Sequence, residues 1–525
     1  MFLRQVILCR SMLAAGILAV AAGLVEVANS KTQVESLPHT FGFEAVERIA
    51  AQLAEKAYVE PEKIPEFLQR INYDQWRDIR FKTDRSLWRG ENLFFETQFF
   101  HPGFLYQMPV KINIVQGQEV EEFPFSPELF NYGMNDFGPK VPQNLGFAGF
   151  RFHCPLNKKD YYDEVIVFLG ASYFRAVAKG QKYGISARGL ALEVAEQKGE
   201  EFPFFKEFWL IKPKPGQNTV SIYALLDSPS LSGAYHFHVE PGDQTLINVR
   251  STLFPRRAVK KIGLAPMTSM FLHGENQNIR SDDFRPEVHD SDGLLIGSDR
   301  GEWIWRPLRN PKALFLSTYP VEELKGFGLL QRDIEFESYQ DLEALYQQRP
   351  SIWISPQGDW GPGHVELIEL PTNTEIHDNI IAYWVPRQSP EQGRPISLAY
   401  RMNWYIPKKD RHEKGWVMAT RTSVTGEPPK RRFLVDFKGG QLERLNNALA
   451  LEPVVTVTKG ARIVDLQLQN NAFTGSWRLV FSVVPAEREL LDKVITSPNS
   501  SLKLRAFLRQ EGNPVTETWS YSYEP

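Results

Sequence analysis

Between Ile396 and Trp404 every second residue is apolar and large. Ile396, Leu398, Tyr400, Met402 and Trp404 alternate with Ser397, Ala399, Arg401 and Asn403. Successive side chains of a strand point to opposite faces, so this spacing builds one apolar and one polar surface; a helix would scatter the same residues around its axis. Antiparallel sheets with one wetted face read this way, whereas parallel sheets, covered on both sides, read as unbroken apolar runs. Val220, Ile222, Ala224 and Leu226 repeat the pattern, and turn clusters such as Asp227-Ser228-Pro229 and Glu240-Pro241-Gly242-Asp243 punctuate it. With 36 Gly, 36 Pro and 12% aromatic residues, the chain suits many short strands joined by turns. The expected class is all-β from about Glu91 onward.

A chain of 525 residues exceeds one ordinary core. Before the strands, Val46, Ile49, Ala50 and Leu53 recur at helical spacing, and a second short helix is expected from Pro65 to Ile71. Another is expected from Ser338 to Gln348, with Tyr346 and Arg349 at its end facing one site. Residues 31–405 are read as one large antiparallel β-sandwich of two sheets packed face to face. The charged segment 406–415 is read as a linker. Residues 416–525, with strands near Phe433–Phe437, Val454–Thr458, Trp477–Val484 and Leu502–Arg509, are read as an immunoglobulin-like sandwich.

The first thirty residues read as a cleavable export signal of the general secretory type. Arg4 and Arg10 supply its basic region, Ser11 to Val25 its apolar run, and Ala28-Asn29-Ser30 small residues for cleavage after Ser30. The run is short beside the ~20 residues of a membrane span. Loss of the signal removes Cys9 and leaves Cys154 without a disulfide partner, as a buried apolar side chain. The net charge of −3 argues against nucleic acid as the main partner. His236 and His238 share a strand face with no evident third ligand and read as structural; no metal and no cofactor is expected.

Candidate chemistry concentrates between His289 and Trp384. His289-Asp290-Ser291-Asp292-Gly293 is followed by Glu302-Trp303-Ile304-Trp305-Arg306, then Tyr346 and Arg349, Asp359-Trp360, and His377-Asp378-Asn379. Five of the twelve tryptophans fall here, beside acids and guanidinium groups. Sugars suit such a surface, offering C–H faces to rings and hydroxyls to polar groups. Glycoside hydrolysis needs one acid to protonate the leaving oxygen and one base to activate water. Asp290, Asp359 and Asp378 are all open to those roles, and each is also an ordinary turn residue. Trp303 and Trp305, on one strand face, suit core packing as well as sugar stacking. Glu302, Trp303, Trp305, Arg306, Arg349 and Trp360 are the candidate substrate-binding residues.

The chain resembles the OpgG/MdoG family of glucans biosynthesis proteins of Gram-negative bacteria. The likeness is carried by Leu145-Gly-Phe-Ala-Gly-Phe150, Leu169-Gly-Ala-Ser-Tyr-Phe174, Tyr183-Gly-Ile-Ser-Ala-Arg-Gly-Leu190, Gly301-Glu-Trp-Ile-Trp-Arg-Pro307, Gly326-Phe-Gly-Leu-Leu-Gln-Arg332 and Asp378-Asn-Ile-Ile-Ala-Tyr-Trp384. The resemblance implies a galactose-mutarotase-like β-sandwich followed by an immunoglobulin-like domain. It also implies a periplasmic location and work on osmoregulated glucans with a β-1,2-linked backbone; beside a hydrolase, the other reading is a non-catalytic glucan-binding scaffold working with a membrane glucosyltransferase. A related branch is known for inverting β-1,2-glucanases. By that resemblance Asp378 would be the general acid, Asp290 a base acting through a relay, and Tyr346 a holder of the relay.

Overall fold

The alternating segment forms the strand Ile396–Tyr405, with Leu398, Tyr400, Met402 and Trp404 buried and Ser397 and Arg401 exposed. It lies antiparallel between Thr245–Pro255 and Ser351–Gln357. These strands belong to a computed structural model that describes residues 41–277, 282–407, 412–427, 429–444, 451–485 and 501–523. The expected export signal lies outside the described residues, as do residues 408–411 of the expected linker.

Two large sheets carry the fold, which is all-β as the alternation requires. Among the described residues one sheet has 15 strands and the other 10. Nearly all neighbours are antiparallel; Phe204–Ile211 with Lys111–Gln116, and Trp303–Pro307 with Thr518–Tyr523, are the parallel pairs. The sheets meet face to face through aromatic rings. Phe150 and Phe168 of the smaller sheet lie 4.9 and 5.5 Å from Phe208 of the larger, and Phe174 lies 5.2 Å from Phe237. Cys154 is a buried free thiol in this core.

The helix Phe43–Ala54 buries Val46 and Ala50 against the outer face of the larger sheet, where Trp209, Leu225 and Ala234 receive them. His236 lies on that face, its ring 4.9 Å from Tyr223, and burial lowers its pKa to about 4. Ser221 sits between it and His238. The second helix is a single turn, Glu66–Gln69. No helix among the described residues is long and apolar enough to cross a membrane.

The C-terminal residues form two layers. Trp416–Thr425, Lys430–Lys438, Ser476–Pro485 and Ala461–Asn471 make a four-stranded sheet. The opposing layer, Leu451–Val457, Leu502–Gln510 and Thr518–Tyr523, continues the 15-stranded sheet through the pairing of Trp305 with Trp519. Leu295, Trp305 and Leu330 therefore share a core with Phe433, Phe481 and Trp519. The described residues from Phe41 to Tyr523 constitute one compact unit.

Candidate active site

One short stretch of backbone fixes both aspartates. The strand Ile262–Ser269 pairs with Ile380–Pro386, and beyond it Phe271–His273 pairs with Val288–His289. The carbonyl of Ser269 accepts the N–H of Asn379 at 3.0 Å, and the carbonyl of Met270 accepts the N–H of Asp290 at 2.8 Å. Asp378 thus leaves the strand on one side of this stretch and Asp290 on the other. Asn379 locks the arrangement, because its side chain accepts the N–H of Phe271 and donates to the carbonyls of Phe271 and Leu370.

The two carboxyls stand in different surroundings. Asp290 is only 4% exposed, and its carboxylate accepts from the Arg349 guanidinium. Burial raises its pKa, the Arg349 charge opposes that rise, and the charge of Asp378 adds to it. The two acids therefore feel each other across the site. Asp378 sits in the loop before its strand with a side chain 27% exposed, its Oδ2 4.0 Å from Nη2 of Arg175. Arg175 is held in turn by a 2.6 Å bond from Nε to Ser186 Oγ.

Tyr346 joins this group from a third segment. The helix expected from Ser338 to Gln348 breaks into an α turn, Phe336–Tyr339, and a 3₁₀ turn, Tyr346–Gln348. Gln340 and Leu345 adopt left-handed backbone, and Asp341 accepts the N–H groups of Glu343 and Ala344, a local bond that competes with helix. The expected face shared by Tyr346 and Arg349 survives by another route: the guanidinium lies 4.1 Å over the tyrosine ring. Gly184 permits this, since a Cβ there would meet Arg349 Cδ at 2.8 Å. The Tyr346 hydroxyl donates to Glu375 at 2.7 Å, and burial raises its pKa. Arg285 clasps Glu375 (2.7 Å), Asp341 (3.0 Å) and Asp283 (2.8 Å), tying three loops together beside the site.

The other candidates lie elsewhere. Trp305 is buried with Arg332 3.5 Å over its ring, and Arg306 is fully enclosed and paired with Glu369 at 2.8 Å. Neither is exposed at the surface. Trp303 stacks on His412 at 4.6 Å, and Glu302 accepts from Arg505 and from Thr518 at 2.8 Å, so both sit at the C-terminal seam. Trp360 packs near Trp384 and Tyr400 and donates to the carbonyl of Ala399. Asp359 accepts the N–H of Gly361 and shapes a turn. Arg175, Arg285 and Glu375, as isolated polar residues, carry no periodic signal in the sequence, and Gln331 stands in a segment whose family likeness says nothing of its bonds.

Behind Asp290 a second polar cluster faces the seam. Glu287, His289 and Asp292 place ligand-type atoms within 4.8 Å of one another, beside a cavity of about 30 Å³ lined also by Glu275, Trp305 and Thr420. His289 Nε2 lies 2.8 Å from Glu287 and 3.6 Å from Asp292. Burial pulls its pKa down, but Asp292 and Glu287 outweigh burial and raise it to about 9.

Residues 41–523 match the family model described as "Periplasmic glucan biosynthesis protein, MdoG". A glucans biosynthesis protein G of Ralstonia nicotianae is 45% identical over 515 residues, spanning 96% of this chain and 99% of that one. One from Bradyrhizobium diazoefficiens is 44% identical over 490 residues (93% and 94%), and one from Vibrio cholerae is 43% identical over 489 residues (92% and 87%).

Proposed function

We propose that this chain, which belongs to the periplasmic glucan biosynthesis protein family, acts in the periplasm on the β-1,2-linked backbone of a glucan as an inverting endo-hydrolase. The observation that carries the reading is the anchoring of Asp290 and Asp378 on the two sides of Ser269–Phe271. Acid and base roles need carboxyls in unlike surroundings; burial raises the pKa of Asp290, while the Arg349 charge opposes that rise and favours the ionised form a base needs. Asp378, the more exposed, donates a proton to the leaving glycosidic oxygen. Asp290, buried beside Arg349, takes up the proton of the attacking water through a relay that Tyr346 helps to hold. Arg175, near Asp378, is suited to hold a substrate hydroxyl. Hydrolysis within biosynthesis would trim or release the growing glucan.

Incubating the purified protein with linear β-1,2-glucan, beside Asp378→Asn, tests this. Loss of the general acid is expected to lower the rate by roughly 10²–10⁴-fold. Equal product from both proteins rejects the assignment. The relatives are named for biosynthesis and not for hydrolysis, which favours a second reading: a non-catalytic glucan-binding scaffold working beside a membrane glucosyltransferase. In that case the parent cleaves nothing and its glucan affinity survives Asp378→Asn.

A further inference from the structure

Gln331 has no exposed surface and sits where three segments meet. Its amide nitrogen donates to the carbonyls of His289 (2.9 Å) and Tyr346 (3.3 Å). Its amide oxygen accepts from His289 Nδ1 (2.9 Å), and its backbone N–H donates to Ser351 Oγ (2.9 Å). A nitrogen facing two carbonyls must be the NH₂ group, so the oxygen faces His289 Nδ1, which must carry a proton. The other ring nitrogen faces the Glu287 carboxylate and carries a proton too. One side chain thus spans the backbone of the residue before Asp290 and the backbone of Tyr346, whose own side chains point to different partners.

The next residue crosses to the C-terminal segment. Arg332 makes two bonds to Glu517, at 2.6 and 2.9 Å, and one to the carbonyl of Val417 at 2.9 Å. Glu517 is fully buried and also accepts from His412 Nε2 and the Val417 N–H, both at 2.8 Å. Asp292, two residues past Asp290, accepts the backbone N–H groups of Arg332 and Asp333. The bend bearing Asp290, just past the strand Val288–His289, and the turn bearing Tyr346 are therefore braced from behind by one short segment, itself latched to the C-terminal layers.

We propose that Gln331 is the positioning residue that sets Asp290 against Tyr346, and that the C-terminal segment holds it there through the Glu517–Arg332 ion pair. This gives residues 416–523 a task in the site without contact with substrate. The kinetic part of the proposal rests on the hydrolytic reading above; the structural part does not.

The test compares the parent, Gln331→Met and Glu517→Gln. Methionine keeps the length and loses the donors and acceptor. Backbone amide exchange should quicken by about tenfold or more at residues 289–292 and 346–349 in Gln331→Met, and stay unchanged in the strand Val220–Asp227. On linear β-1,2-glucan kcat should fall about 10–10²-fold with KM within about twofold, the mark of misplacement and not of lost binding. Glu517→Gln should reproduce the same local pattern. Unchanged exchange in both segments, or acceleration spread evenly over the molecule, overturns the proposal. If the parent cleaves nothing, the hydrolytic reading fails and amide exchange alone decides the positioning. If Gln331→Met does not fold, Ser351→Ala, which removes the bond to the Gln331 N–H, carries the same comparison.

Discussion

His289 is a buried cation between Glu287 and Asp292, with Gln331 on its other nitrogen and the rings of Phe271 and Tyr339 around it. Its pKa in the folded chain, raised to about 9, stands above the ~6.5 of an unfolded chain. The stability it contributes is therefore fully present below about pH 6.5 and is lost as pH rises through about 9. That difference corresponds to about 3 kcal/mol at most. Denaturant midpoints at about pH 6 and about pH 9.5 should diverge in the parent and converge in His289→Gln. An equal drop in both proteins would refute the buried charge. At this same scale the sequence drew Asp290 and Asp378 out as candidates, because each stands in a motif of turn residues beside a strand. It hid the fate of Trp305 and Arg306. A tryptophan next to an arginine reads alike whether a sugar or Tyr521 lies across it, and Tyr521 lies more than two hundred residues further on.

Among the elements, the loop 371–378 owes its placement to Asn379, whose side chain replaces strand pairing with three bonds of its own. Asn379→Ala leaves the N–H and carbonyl of Phe271 and the carbonyl of Leu370 without those partners, in a buried setting. The expected loss is about 1–3 kcal/mol of stability, read from chemical denaturation, together with a fall in kcat through displacement of Asp378. Wild-type stability and rate in this variant would show that the strand Ile380–Pro386 positions the loop unaided. The period-2 segments were legible as strands, since burial of one face dictates them. The turns at Gln340 and Leu345 were not: a run from Ser338 to Gln348 has helical composition, and its break follows from Asp341 bonding locally and pairing with Arg285, more than fifty residues earlier.

For the molecule as a whole, the alternation foretold two sheets face to face but gave no sign that the larger one runs on into the C-terminal residues. Joining Trp303–Pro307 to Thr518–Tyr523 is a parallel pairing between strands more than two hundred residues apart, and nothing local encodes its partner. The consequence is energetic. A chain ending at Pro407 would uncover Leu295, Trp305 and Leu330, each worth about 1.5–3 kcal/mol of burial, and would strip Arg332 of Glu517. Breaking a buried ion pair by removing one partner costs about 3–5 kcal/mol. Those losses rival the entire stability of a typical protein, about 5–15 kcal/mol. Burial pushes the Glu517 carboxyl up, but Arg332 and His412 outweigh it and pull its pKa down to about 2, so the stability from this latch is present above about pH 4.5 and fades only as pH falls through about 2. Truncation should therefore abolish the cooperative thermal transition at neutral pH, with dye binding at the bared core. A sharp transition within about 5 °C of the full chain would mean that residues 41–407 hold their fold without the C-terminal layers.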